Sequence, residues 1–221
     1  MASLRAVVFD MDGLMFNTED VYWHVGSEIL QRRGRRFTAE LSHAMMGRPP
    51  QPAFETMIQW DSLPDTWQQL AMESEEAFVE ILDRYLAPMP GLMPLLAALE
   101  SAGMPKAIAT SSQTRLVDAV LSRFAMHDRF QFILSASDVV HGKPDPEIYL
   151  RAAQRFALPP AEVLVLEDSQ IGCRAAAAAG AFTVAVPGEH SRGQDFTVAT
   201  MVIESLADPR LYELLRLEPR P

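Results

Sequence analysis

Five short runs of apolar and β-branched residues constrain the fold more than any other feature of the chain. They are LRAVVFD (4–10), MPKAIATS (104–111), FQFILSAS (130–137), EVLVLED (162–168) and FTVAVPG (182–188). Their near-continuous apolar character is that of strands covered on both faces, as in a parallel sheet. Helical patterns separate the later runs: PGLMPLLAALESAG (90–103), TRLVDAVLSRFA (114–125), PEIYLRAAQRFA (146–157) and IGCRAAAAAG (171–180). Alternation of this kind predicts a doubly wound α/β domain with helices on both faces of the sheet.

The rhythm breaks between the first and second runs, from about Thr18 to Ala87. In EDVYWHVGSEILQRRG (19–34), Val21, Val25 and Ile29 recur at the four-residue spacing of a helix face. PDTWQQLAMESEEAFVEILDRYLA (64–87) is a second long helical pattern, with Pro64 near its start. No strand candidate lies between them, and RPPQP (48–52) reads as a loop or turn. The expected organisation is a core of residues 1–16 and 88–221 with a small helical domain, 17–87, inserted after the first strand. The C-terminal SLADPRLYELLRL (205–217) reads as a closing amphipathic helix.

Composition narrows the partners. With 221 residues and 48% of them hydrophobic, the chain can bury a sizeable core. A formal net charge of −10 argues against nucleic acid or an anionic membrane as the main partner, though not against a small anionic substrate. The single cysteine, Cys173, excludes an intramolecular disulfide and fits a reducing compartment; on its alanine-rich helix it reads as a small buried side chain. The N-terminus runs straight into the first strand, and no stretch is long enough to span a bilayer. The expectation is a cytoplasmic protein.

The ends of the runs carry the chemistry. The first run closes on Asp10 and Asp12, residues i and i+2, which face one side if strand geometry persists. Open parallel sheets bind ligands beyond the carboxyl ends of their strands. Two carboxylates there repel unless a cation or a shared proton intervenes, and an all-oxygen set favours Mg²⁺. Gly13 permits the sharp exit turn. The second run ends at Thr110, with Ser111 and Ser112 expected to open the next helix, where backbone N–H groups favour anions. HGKPDP supplies Lys143 as a point charge for phosphate, followed by Asp145-Pro146 as a cap and first-turn proline. The fourth run ends in a second acidic pair, Glu167 and Asp168.

DMDG, TSS, GKPDP and EDS, in this order at four strand ends, resemble the motifs of the haloacid dehalogenase superfamily. Within it, the chain is similar to the branch with a helical cap after the first motif, sugar-phosphate and pseudouridine-5′-phosphate phosphatases and β-phosphoglucomutase-like proteins. The resemblance implies a Rossmann-like core, a helical cap and Mg²⁺-dependent hydrolysis of small phosphate monoesters. It implies Asp10 as the nucleophile that forms an aspartyl-phosphate, and Asp12 as general acid and then base. It further implies Mg²⁺ held by the Asp10 and Asp168 carboxylates and the Asp12 carbonyl, with Glu167 assisting directly or through a water. Thr110, Lys143 and the Ser111 backbone would hold the phosphoryl oxygens. The implied partner is a small phosphorylated metabolite, and the implied state a monomer.

Asp12 argues for phosphate rather than a carbon–halogen bond, because dehalogenating relatives lack that acid. Where many relatives carry an acidic triplet after the glycine, this chain has Asn17-Thr18-Glu19, and Asn17 can still hydrogen-bond where the insertion leaves the core. The mutase branch has a histidine where Tyr22 aligns and a lysine where Gln113 stands, so the hydrolase is favoured over a phosphomutase. A catalytically dead phosphate-binding protein is the remaining alternative. Arg48, Met15 and Tyr22 are the candidate substrate or cap residues. The Arg32–Arg36 cluster reads more simply as positive charge at a helix end, with Gly34 as its stop.

Overall fold

A computed structural model describes residues 3–46 and 48–218. The chain divides into two compact units, one formed by residues 1–17 and 87–221 and the other by Thr18–Leu86.

The first unit is built on a parallel sheet. Its strands are β1 (Ala6–Phe9), β2 (Lys106–Ala109), β3 (Ile133–Leu134), β4 (Val163–Glu167), β5 (Phe182–Ala185) and β6 (Met201–Val202). Among the described residues their order is β3-β2-β1-β4-β5-β6, and every neighbouring pair is parallel. The central strands β1, β2 and β4 are buried along their whole length, as residues covered on both faces must be. Five runs give the first five strands. The sixth, with Met201 and Val202, is too short to leave a pattern.

Five helices of this unit lie where the patterns place them: α5 (Leu92–Ser101), α6 (Thr114–Arg123), α7 (Glu147–Arg155), α8 (Gln170–Ala178) and α9 (Pro209–Leu215). The apolar side of α7, Ile148, Tyr149, Ala152 and Ala153, packs with Ala175, Ala176 and Ala179 of the α8 segment over Val8, Ala109 and Val165 of the sheet. Small alanines allow these helices to approach the strands closely. Ser111 and Ser112 do not open α6, contrary to expectation; they lie in the loop before it, since the helix begins at Thr114. The insertion leaves and re-enters through a paired backbone: the Asn17 N–H donates to the Ala87 carbonyl (3.1 Å), and the Ala87 N–H to Asn17 Oδ1 (2.6 Å).

The second unit is helical: α1 (Thr18–Arg32), α2 (Ala39–Met45), α3 (Pro50–Asp61) and α4 (Trp67–Tyr85). Val21, Val25 and Ile29 form the buried stripe of α1, as their spacing predicts. Residues 50–52 belong to a helix, not a loop. Pro50 and Pro52 fall in the first turn of α3, where backbone N–H groups have no intrahelical acceptor to lose. α4 starts at Trp67, capped by Thr66 in a reciprocal box with Gln69.

Gly34 ends the α1 segment at φ +67°, and the arginines before it are structural. Arg33 forks onto both oxygens of Asp65 (3.0 and 2.8 Å), also donates to Glu73 (2.6 Å), and its third nitrogen satisfies the Ile29 carbonyl (2.9 Å). Arg32 bridges Glu28 and Glu73. Hydrogen bonds from Arg33 hold the Asp65 and Glu73 carboxyls below their usual pKa values. Arg33→Ala is expected to cost about 1–2 kcal/mol in urea unfolding at neutral pH, the scale of charge-assisted hydrogen bonds that are partly screened by solvent. Because both carboxyl pKa values are depressed on folding, the wild-type advantage is complete above the ordinary glutamate value of 4.5. It fades as pH falls through the lowered folded values. An advantage that persisted unchanged into acid would show that the ion pairs are not its source.

Candidate active site

β1 is the point at which the sheet changes direction: the strands that follow it in sequence, β2 and β3, lie on one side, and β4 to β6 on the other. Crevices at such points, beyond the carboxyl ends of the strands, are where open α/β sheets bind ligands. Asp10 follows β1 and its N–H donates to the Leu166 carbonyl of β4 (3.0 Å). Thr110 follows β2, with its N–H on Leu134 (3.0 Å). Glu167 ends β4, and Asp168 follows it. Backbone pairing thus delivers these side chains to one edge of the sheet.

Lys143 ties them together. Its ammonium, on a side chain only 3% exposed, donates to Asp10 Oδ1 (2.5 Å), Glu167 Oε1 (2.7 Å) and the Ala109 carbonyl (3.0 Å). Three hydrogens meet three acceptors. Burial by itself would lower the pKa of this ammonium, but the adjacent Asp10 and Glu167 carboxylates hold it well above the usual lysine value. The Asp10 carboxyl is pushed well above the usual carboxylate range. Burial is the main cause, with Lys143 opposing it and the Glu167 and Asp12 charges adding to it.

Asp12 sits in a different set of contacts. Its Oδ2 accepts from Ser112 Oγ (2.7 Å) and Thr110 Oγ1 (3.0 Å), and Thr110 Oγ1 in turn accepts from the Ser112 N–H (3.0 Å). Asp12 Oδ1 is buried and has no hydrogen-bond partner among the described residues. One oxygen of Asp12 is therefore held by two hydroxyls, and the other is not. Ser111 lines a cavity of about 150 Å³ together with Thr110, Gly142, Lys143, Val139 and Ile148. That space lies directly beside the lysine.

Oxygen atoms of Asp10, Glu167 and Asp168 lie within 4.8 Å of one another. Of these three carboxylates, Asp10 and Glu167 meet the Lys143 ammonium. An all-oxygen set of this kind suits a hard divalent cation such as Mg²⁺. The Asp12 carboxylate stands outside the trio. Gly13 has φ +75°, and a Cβ there would come within 2.4 Å of Asp168 Oδ2, so the glycine serves close approach as well as the turn.

The remaining candidates have contacts of their own. Met15 is buried in the turn after β1, its N–H on the Met11 carbonyl (3.0 Å) and its carbonyl accepting from Met89 (2.8 Å). The Tyr22 ring packs at a tilt of 33° against Phe78, and Arg48 is exposed and donates to Thr56 Oγ1 (3.2 Å), both within the helical unit. Cys173 is buried in α8, where burial pushes its thiol pKa up. Two contributors were not foreseen. Ser112 holds Asp12, and the Tyr149 hydroxyl donates to Glu167 Oε1 (2.6 Å). The available signal was a tyrosine on the apolar stripe of α7, because a buried phenol needs a hydrogen-bond partner.

Residues 7–186 match the haloacid dehalogenase-like hydrolase family. The chain belongs to this family. It is 36% identical over 207 residues to the probable pseudouridine-5′-phosphatase of Drosophila melanogaster, covering 91% of this chain and 89% of that one. It is 30% identical over 177 residues to a phosphorylated carbohydrates phosphatase of Thermotoga maritima, covering 80% and 82%. Among solved structures, CbbY from Rhodobacter sphaeroides in complex with phosphate superimposes with a TM-score of 0.81 at 26% identity, over 93% of this chain and 96% of that one.

Lys143→Ala is expected to destabilise the hydrolase by about 3 kcal/mol or more at neutral pH, because it strands the buried Asp10 and Glu167 carboxylates. Urea unfolding measures it. A loss below about 1 kcal/mol, the scale of an exposed ion pair, would contradict the buried arrangement.

Proposed function

We propose that this phosphoric monoester hydrolase releases phosphate from a small sugar or nucleoside phosphate with the help of Mg²⁺, through an aspartyl-phosphate on Asp10. The observation that carries this reading is the convergence of Asp10, Asp12, Thr110 and Lys143 on one edge of the sheet, beside the Glu167–Asp168 pair.

In the first step an Asp10 oxygen attacks phosphorus, the phosphorus–oxygen bond of the ester breaks, and Asp12 gives its proton to the departing alkoxide. In the second, Asp12 takes a proton from water, the water oxygen attacks phosphorus, and the bond to Asp10 breaks. Alcohol and inorganic phosphate leave, and both aspartates return to their starting states. On substrate binding Lys143 would turn the hydrogen it gives Asp10, and Thr110 the hydrogen it gives Asp12, to phosphoryl oxygens while charge redistributes, with the Ser111 backbone beside them. Mg²⁺ bound by Asp10, Asp168 and the Asp12 carbonyl, with Glu167 assisting, would neutralise phosphoryl and carboxylate charge. The Ser112 hydroxyl orients Asp12 between its two proton transfers.

The substrate class is supported by the relatives, which are named for pseudouridine-5′-phosphate and phosphorylated carbohydrates. The helical unit would act as the cap that selects the ester, with Tyr22, Arg48 and Met15 as the side chains to test. A mutase needs a grip on a second phosphate. Tyr22 packs against Phe78, and Gln113 accepts from Ser137 (3.4 Å); both are uncharged, which favours the hydrolase.

Phosphate release should be measured across a panel of sugar and nucleoside phosphates with Mg²⁺ and with chelator. Release is expected to stop with chelator and in Asp10→Asn, and to fall about 10²–10⁴-fold in Asp12→Ala. Wild-type rates from Asp10→Asn, or indifference to chelator, would contradict the proposal.

A further inference from the structure

We infer that Tyr149 is a positioning residue for this reaction: its hydroxyl fixes Glu167, and Glu167 in turn holds Lys143 against Asp10. The inference rests on the role proposed for Lys143 and goes beyond it to a residue on a different element.

Glu167 is fully buried and each of its oxygens has two donors. Oε1 accepts from the Tyr149 hydroxyl (2.6 Å) and from Lys143 Nζ (2.7 Å). Oε2 accepts from Ser169 Oγ (2.9 Å) and from the Ser169 N–H (3.3 Å). The Tyr149 ring also lies under the ammonium, with Nζ 5.0 Å from its centroid. Behind the carboxylate stands the first turn of α8. A Cβ on Gly172 would fall 1.8 Å from Glu167 Oε1, so backbone closes off that side. The carboxylate is thus held by donors on two sides and walled on another.

The consequence for Lys143 follows from the acceptor count. The ammonium spends one hydrogen each on Asp10, Ala109 and Glu167, and these three contacts fix its position in three dimensions. Without the phenol, Oε1 keeps only the lysine as a donor. The Ser169 donors still hold Oε2, but Oε1 is then positioned by the lysine alone, so one of the three supports that aim the ammonium is loosened. Phosphoryl transfer depends on pre-aligned charge, so displacement of Lys143 acts mainly on the transition state. α7 therefore serves the site twice, through the loop that carries Lys143 and through the tyrosine on its buried face.

Tyr149→Phe tests this, because it keeps the ring and removes only the oxygen. At saturating Mg²⁺, kcat should fall about tenfold or more, the effect of one hydrogen bond to a charged group, while KM changes less than about threefold. Binding supplies a readout besides turnover. Orthovanadate, which mimics the transferring phosphoryl group, should bind about tenfold more weakly, whereas inorganic phosphate should lose no more than about threefold. A Tyr149→Phe protein that melts lower but keeps kcat and vanadate affinity within about twofold would overturn the inference, leaving Tyr149 a packing residue. Lys143→Met and Asp10→Asn are measured alongside. Loss of activity in both with none in Tyr149→Phe defeats this inference alone, and wild-type activity in both defeats the role proposed for Lys143 itself.

Discussion

One ammonium between two buried carboxylates organises the catalytic end of this molecule. Lys143 touches Asp10 from β1, Glu167 from β4 and the last carbonyl of β2, and so ties together the three central strands at their carboxyl ends. Burying these charges is costly unless every one is met by a partner. The neighbouring sequence reads as the means of meeting them: Tyr149 and Ser169 donate to Glu167, and Ser112 and Thr110 to Asp12. Gly13 and Gly172 provide the space for Asp168 and Glu167. Oxygens of Asp10, Glu167 and Asp168 still gather within 4.8 Å of one another. On the proposed mechanism a divalent cation would balance this negative charge together with that of the incoming phosphoryl group.

The two aspartates of the first motif are differentiated by what surrounds them. Asp10 faces a cation and is buried, and Asp12 faces hydroxyls with one oxygen unpartnered. A nucleophile must be anionic and aimed, whereas a proton carrier must be able to exist in both forms. On the proposed mechanism the Lys143 ammonium favours the anion at Asp10 against the burial that raises its carboxyl, and a bound cation would favour it further.

Much of this was legible in the sequence, for identifiable reasons. Strands covered on both faces appear as unbroken apolar runs, and acids at the ends of such runs are conspicuous because nothing in strand formation calls for them. Asp10, Asp12, Glu167 and Asp168 stand out in this way, and Thr110 and Lys143 as a hydroxyl and a cation near other run ends. Tyr149 does not, since Ile148, Tyr149, Ala152 and Ala153 form an ordinary helix stripe and only coordinates reveal what the hydroxyl meets. α3 was hidden by its prolines, which mark a loop except in a helix's first turn. Ser112 was noticed as a helix opener but not as the partner of Asp12, a contact spanning 100 positions of sequence.

The central claim is that Asp10 is the atom donor to phosphorus. Acid quench of the wild-type enzyme during turnover, followed by borohydride reduction and peptide mapping, tests it most directly. An acyl phosphate on Asp10 is reduced to homoserine, so the account predicts homoserine at position 10, formed only with substrate present. Homoserine at position 12 or 168 instead, or no reduced residue in an enzyme demonstrably turning over, would contradict it.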